Sequence, residues 1–130
     1  MNDKRLISSG SDFEAVAGYS RAVVEGAYVH VAGTTGFDYA AMTIDDDAAA
    51  QTHQCFRNIA AALGQAGCSL DDVVRVRYYL ANADSFQVLA PIFGEYFQRA
   101  RPAATAIVCG LVDPRMKIEI EVTARRPAWS

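Results

Sequence analysis

Basic blocks, membrane-length apolar runs, cysteine pairs of metal spacing and nucleophile elbows are all missing from this chain, and each absence removes a class of function. Twelve Lys and Arg against 15 Asp and Glu leave a formal charge of −3, so the electrostatic footprint of a nucleic-acid binder is lacking. No apolar stretch approaches the roughly 20 residues of a membrane span. The start, "MNDKRLISSG", lacks the apolar run of a secretory leader. These features predict a cytoplasmic protein with no membrane and no nucleic-acid partner. Cys55, Cys68 and Cys109 form no CxxC and, being three, cannot all pair, so they read as reduced thiols and small core residues. There is no GxSxG elbow. Gly33-Thr34-Thr35-Gly36 lacks the spacing and lysine of a phosphate loop and reads as a strand-ending turn. His30 and His53 have no second ligand at a useful spacing, so no metal is expected.

What is present is an ordinary globular mixture: 52% hydrophobic and 21% charged residues over 130 positions. With no linker or repeat, residues 1–130 are expected to fold as one domain. "YSRAVV" and "YVHVAGTT" flank Glu25-Gly26-Ala27 as a hairpin whose glycine can take positive φ. Asp45 to Asp47 precede a helix that ends near Gly67, with Cys55, Phe56, Ile59, Ala60 and Leu63 on one face. "DDVVRVRYYL" alternates Val74, Val76, Tyr78 and Leu80 against Arg75, Arg77 and Tyr79. Asp84 and Ser85 can cap a second helix carrying Phe86, Leu89, Phe93, Tyr96 and Phe97, which Pro91 should kink or restart. "RPAATAIVCGL" and "MKIEIEVTA" close the chain as strands joined by "VDPR".

This order of five strands and two helices predicts an α+β fold with both helices on one sheet face, and a six-stranded mixed sheet is expected once one further strand joins it. The other face would carry Arg75, Arg77, Glu119, Glu121 and Thr123. Two carboxylates in a row on one strand face admit three readings: a solvated surface, half of a set of ion pairs, or the general base of an active site. A sheet covered on one side also invites a partner subunit on the other.

"RPAATAIVCGLVDPRMKIEIEVTA" strongly resembles the C-terminal signature of the RidA family, the YjgF-like reactive intermediate deaminases. "AVAGYSRAVVEGAYVHVAGTTG" is similar to that family's opening. "CFRNIAAALGQAGCSLDDVVRVRYYLANADSF" and "IFGEYF" are similar to its helices and the strand between them. The resemblance spans nearly the whole chain. It implies a chorismate-mutase-like fold, a homotrimer around a central barrel, and three clefts between neighbouring subunits. It also implies hydrolysis of enamines and imines such as 2-aminoacrylate to 2-keto acids and ammonia, with no cofactor.

Carried over residue by residue, the family's water-activating glutamate falls on Glu119 and its cleft-closing tyrosine on Tyr19. The glycine of its "SGQ" motif is Gly33, while the serine and glutamine beside it are Ala32 and Thr34. The arginine that grips the substrate carboxylate bidentately falls on Ala104, followed by the matching Thr105. The family's cysteine falls on Ala106 and its asparagine on Ala90. Losing a charged bidentate grip should cost about 2–5 kcal/mol of affinity and orientation. Arg21, two residues after Tyr19, is the leading replacement, with Arg75, Arg77, Arg101 and Arg115 behind it.

The chain is thus expected to bind a small molecule and to be a deaminase or hydrolase acting on a substrate other than 2-aminoacrylate. That substrate either lacks a carboxylate or holds it through Arg21. The alternative is a metabolite-binding or regulatory trimer without turnover. An endoribonuclease or translation-inhibitor role, also attached to this family, is disfavoured by the acidic charge.

Overall fold

The computed structural model describes residues 4–127. Strand β1 (Lys4–Ile7) leads into a short helix α1 (Asp12–Ala17). A hairpin follows, of β2 (Ala22–Glu25) and β3 (Tyr28–Thr35), then a small hairpin of β4 (Phe37–Asp38) and β5 (Thr43–Ile44). Helix α2 (Ala48–Gln65) precedes β6 (Val73–Leu80), helix α3 (Ser85–Tyr96), β7 (Ala103–Val108) and β8 (Ile118–Arg125).

Six of these strands form one mixed sheet in the order β1-β2-β3-β8-β6-β7, with β6–β7 the parallel pair. Parallel pairing needs a crossover, and α3 supplies it. The last two strands of the sequence are therefore not neighbours, because β6 lies between them. Glu25 pairs with Tyr28 across Gly26, whose φ is +56, the sign a two-residue hairpin turn needs at its first position.

Helix α2 starts where Asp47 accepts a hydrogen bond from the Ala50 amide. It stops at Gly67, at φ +76, where the Cys68 amide bonds back to the Leu63 carbonyl at 2.9 Å. Its inner face is Gln51, Thr52, Cys55, Phe56, Ile59, Ala62 and Leu63; Ala60, expected inside, is exposed. With α3 it covers one sheet face, meeting Val76, Tyr78, Ile118, Ile120 and Val122. Helix α3 runs through Pro91 rather than restarting there.

The opposite face carries the charged row. Arg75 stands opposite Thr123, Arg77 opposite Glu121, and Tyr79 opposite Glu119. Glu121 is partnered, with Arg77 at 3.6 Å and the Tyr79 hydroxyl donating to it. One expectation in this strand needs correcting. A bulge between Val73 and Arg75 turns Val74 outward and buries Val73 in its place, because the extra residue inverts the alternation. Among the described residues, no helix is long and apolar enough to cross a membrane.

Candidate functional site

A hollow of about 230 Å³ opens between α1, the end of β3 and the start of β8, and its lining includes Phe13, Val16, Tyr19, Gly33, Thr35, Tyr39, Met116 and Glu119. Its chemistry follows from four local devices. Helix α1 begins with Ser11, whose hydroxyl accepts from the Glu14 amide at 3.3 Å. It ends on Gly18 at φ +73, a left-handed turn that delivers Tyr19 to the rim. A bulge shifts the β3–β8 register between Val31 and Thr34, so Ala32 and Gly33 stand out of regular pairing. Finally, the absent side chain of Gly33 leaves room for Glu119: a Cβ there would lie 2.9 Å from the Glu119 Cδ.

Glu119 is half-buried, and the groups around it set its chemistry. Burial pushes its carboxyl above the ordinary value, the Arg21 guanidinium pulls it partly back, and Glu121 adds to the rise. A carboxylate whose proton affinity is raised by an apolar surrounding is suited to taking a proton from water.

Arg21 stands behind this hollow, not in it. It is 2% exposed and its guanidinium is already engaged. It donates to the Gly33 carbonyl at 2.7 Å, the Thr34 hydroxyl at 3.0 Å and the Tyr19 hydroxyl at 3.4 Å. It stacks over the Tyr39 ring at 4.5 Å and faces Glu14 at 3.8 Å. The hollow it does line, about 300 Å³, is a different one, shared with Ser8, Ser9, Asp38 and Asn58. Arg21, the expected replacement for the missing arginine, enters just ahead of β2 and turns inward within the single subunit, onto the backbone of β3. Thr34 is likewise fully buried, donating to the Ala32 carbonyl.

The remaining residues expected at the site lie elsewhere on the subunit. Ala104 and Thr105 line a groove of about 410 Å³ between β7 and α3, together with Ala90, Ala106 and Arg101. Arg75 donates to the Thr105 hydroxyl at 3.3 Å, Arg77 pairs with Glu121, and Arg115 is held by Asp113 at 2.8 Å. One subunit therefore shows two separate hollows: a carboxylate hollow at Glu119 and an alanine-lined groove at Ala104.

Sequence reasoning missed Glu14, Thr35 and Tyr39. Tyr39 accepts from the Thr35 amide at 2.9 Å and forms the floor beneath Arg21. Burial pushes Glu14 up, but hydrogen bonds from Ser9, Ser8 and Ser11 outweigh it and hold the carboxyl below its ordinary value. The signal was present: "SDFE" has the Ser-x-x-Glu spacing of a helix start. Among the described residues, no group of three His, Cys, Asp or Glu comes together as a metal site would.

Comparison with known proteins places this geometry. Residues 9–126 match the family model described as Endoribonuclease L-PSP. A crystal structure from Mycobacterium tuberculosis of a YjgF/YER057c/UK114 family member superposes with a TM-score of 0.85 at 41% identity, covering 95% of this chain and 99% of that one. The chain belongs to the RidA/YjgF family. An uncharacterised Streptomyces coelicolor protein is 34% identical over 95% of this chain and 93% of its own length. A bovine 2-iminobutanoate/2-iminopropanoate deaminase is 28% identical over 93% of this chain and 89% of its own. The α+β architecture of this RidA/YjgF chain is thus that of its relatives, and its relatives include proteins named as deaminases.

Proposed function

We propose that the protein is a homotrimeric hydrolase of reactive enamine or imine metabolites. Residues 1–130 act as one domain, and each catalytic cleft joins the Glu119 hollow of one subunit to the β7–α3 groove of the next. The observation that carries this reading is the Glu119 carboxyl, set in a largely apolar hollow against Gly33 with its proton affinity raised.

Glu119 takes a proton from a water that adds to the imine carbon. Passed to the nitrogen, that proton completes the carbinolamine; Glu119 then moves the second proton from the carbinolamine hydroxyl to the nitrogen, so that ammonia leaves and the carbonyl remains. Balanced, an imine and water give a ketone and ammonia, and no cofactor is required. Tyr19 and Gly33 bound the substrate on the Glu119 side, and Ala104 and Thr105 bound it on the groove side. Ala104, Ala106 and Ala90 make that groove wider and less polar than one built around an arginine, a cysteine and an asparagine, so the favoured substrate differs from 2-aminoacrylate. The reaction belongs to the cytoplasm, where such imines arise.

The test supplies imines from several amino acids with an amino-acid oxidase and traps the remainder with semicarbazide. Faster loss of imine with wild type than with Glu119→Gln is the expected result. Equal rates for both sink the reading.

The alanine lining favours a second reading, a trimer that binds a metabolite without turnover. Saturable ligand binding with no hydrolysis of any imine would select it. RNA cleavage, suggested by the family description, is disfavoured by the charge of −3; cleavage abolished by Glu119→Gln would restore it.

A further inference from the structure

Arg101 stands apart from the other arginines. The chain has ten, and nine have a side-chain partner: Gln65 for Arg5, Gln54 for Arg57, Asp71 for Arg99, Tyr28 for Arg125 and Gly26 for Arg126, with Arg21, Arg75, Arg77 and Arg115 engaged as described. Arg101 alone has none among the described residues. It is exposed, and its backbone is held at φ +44, a left-handed conformation that a non-glycine residue adopts only at a cost. Two neighbours hold it there. Its amide bonds to the Phe97 carbonyl at 3.0 Å, and Pro102 disfavours the right-handed helical alternative.

The groove beside it is aromatic. Tyr78 stacks on Phe93 at 3.9 Å between ring centroids, and Phe86 meets Phe93 edge-on at 6.5 Å. Phe86 is 43% exposed, more than an aromatic ring shows when its packing is complete. Ala90, Ala104 and Ala106 leave the space above these rings open. Among the described residues that line this groove, Arg101 is the one charged group.

We propose that this groove binds a carboxylate carrying an aryl or similarly bulky apolar group, with the Arg101 guanidinium holding the carboxylate and the aromatic wall taking the apolar end. A single planar fork matches a carboxylate in both shape and charge. A phosphate dianion would call for a second cation or a row of amides, and the lining offers neither. The groove's volume of about 410 Å³ exceeds the need of a three-carbon acid, so apolar burial rather than charge alone sets the preference. This inference rests on the subunit-cleft reading only in assigning the ligand to catalysis; the binding itself is a property of the groove. Carried into the cleft, it names the substrate class as 2-imino acids with aryl or branched side chains.

The test uses three stable probes: 3-phenylpropionate, propionate and 3-phenylpropionamide, titrated into the wild-type protein by calorimetry. The expected result is saturable binding of 3-phenylpropionate, at least tenfold tighter than the other two. Arg101→Gln should weaken it at least tenfold, to the level of the amide. Arg99→Gln, which alters an exposed arginine outside the groove, should leave it unchanged. Absence of saturation with wild type, as when a second copy of the chain fills the groove, overturns the proposal. So does equal binding of propionate or the amide, or indifference to Arg101→Gln. Imine hydrolysis with an unchanged KM in Arg101→Gln would overturn the assignment of the substrate class while leaving the hydrolase reading intact. Binding without hydrolysis would do the reverse.

Discussion

The carboxyl of Glu119 occupies the space where a side chain on Gly33 would begin. A Cβ built on Gly33 meets three successive side-chain atoms of Glu119, with Cδ at 2.9 Å and Cγ at 3.3 Å. The two residues lie 86 positions apart, yet neither can be described without the other. The glycine is required by proximity here, not by a positive φ.

Gly33→Ala is therefore a displacement of the proposed base more than a threat to the fold. The obstructed group is the end of a flexible side chain, so the subunit should retain a melting temperature within a few degrees of wild type. Imine turnover should fall at least tenfold, since a small misplacement of a catalytic group costs on that order or more. Paired kcat and thermal-melt measurements check this. A turnover unchanged with Glu119 in its new position would show that the base is elsewhere.

Glu119→Gln should stabilise the protein while disabling it. The Glu119 carboxyl titrates above its ordinary value of 4.5 in the folded state. Between that value and the raised one, the folded state holds a proton that the unfolded chain has released. Stability therefore falls as pH climbs through this window. Glutamine removes the penalty, so at pH 7 the melting temperature should rise above that of wild type. Below pH 4.5 the gain should vanish. Turnover should drop by about 10²–10⁴.

Glu14→Ala should have the opposite pH signature. Its folded value lies below the ordinary 4.5, so its contribution is present above that pH and fades as pH falls through the lowered value. At neutral pH the loss should be about 3–5 kcal/mol, because Arg21 is left as a buried charge without its counter-ion. Urea unfolding at pH 7 and again at pH 4 would separate this from a packing effect of constant size.

Gly36→Ala tests packing alone. A Cβ there would lie 2.6 Å from the Gln51 Cα and 2.8 Å from its carbonyl oxygen, both backbone atoms of α2. Gln51 itself donates to the carbonyls of Asp45 and Arg115 and accepts from the Lys117 amide at 2.8 Å, tying down the segment that enters β8. The substitution should cost about 1–3 kcal/mol and loosen Glu119 indirectly. Denaturant midpoints and turnover should fall together.

How much of this was legible beforehand divides by range. The Glu25–Tyr28 hairpin, the α2 cap at Asp47 and the paired row of Arg77 and Glu121 could be read because each depends on residues close in sequence or on simple alternation. Strand β1 could not, since "KRLI" has no alternation and only its pairing with Ala22–Glu25 makes it a strand. The inversion at Val74 was hidden because a bulge is set by register with β8, not by the residues of β6. The site divided the same way. Glu119 and Tyr19 could be named from the resemblance, but the inward turn of Arg21 depends on β3 lying beneath it. The separation of Ala104 from Glu119 depends on β6 being inserted between β7 and β8.

The sheet's two borders differ in a way that bears on the life of a newly made subunit. One border, β1, carries Lys4 and Arg5, charges that deter stray strands from docking. The other, β7, reads Ala-Ala-Thr-Ala-Ile-Val with every residue exposed, no charge and no proline within it. Such a border is a template for any extended segment nearby. On the proposal that a second copy covers this border, a chain that has just folded holds a sticky seam until that copy arrives, and the time it spends unoccupied lengthens as the chains become scarcer. Dilute, slowly produced protein should thus be the more prone to co-aggregate with other unfolded chains, and fast, abundant synthesis the gentler route to soluble material.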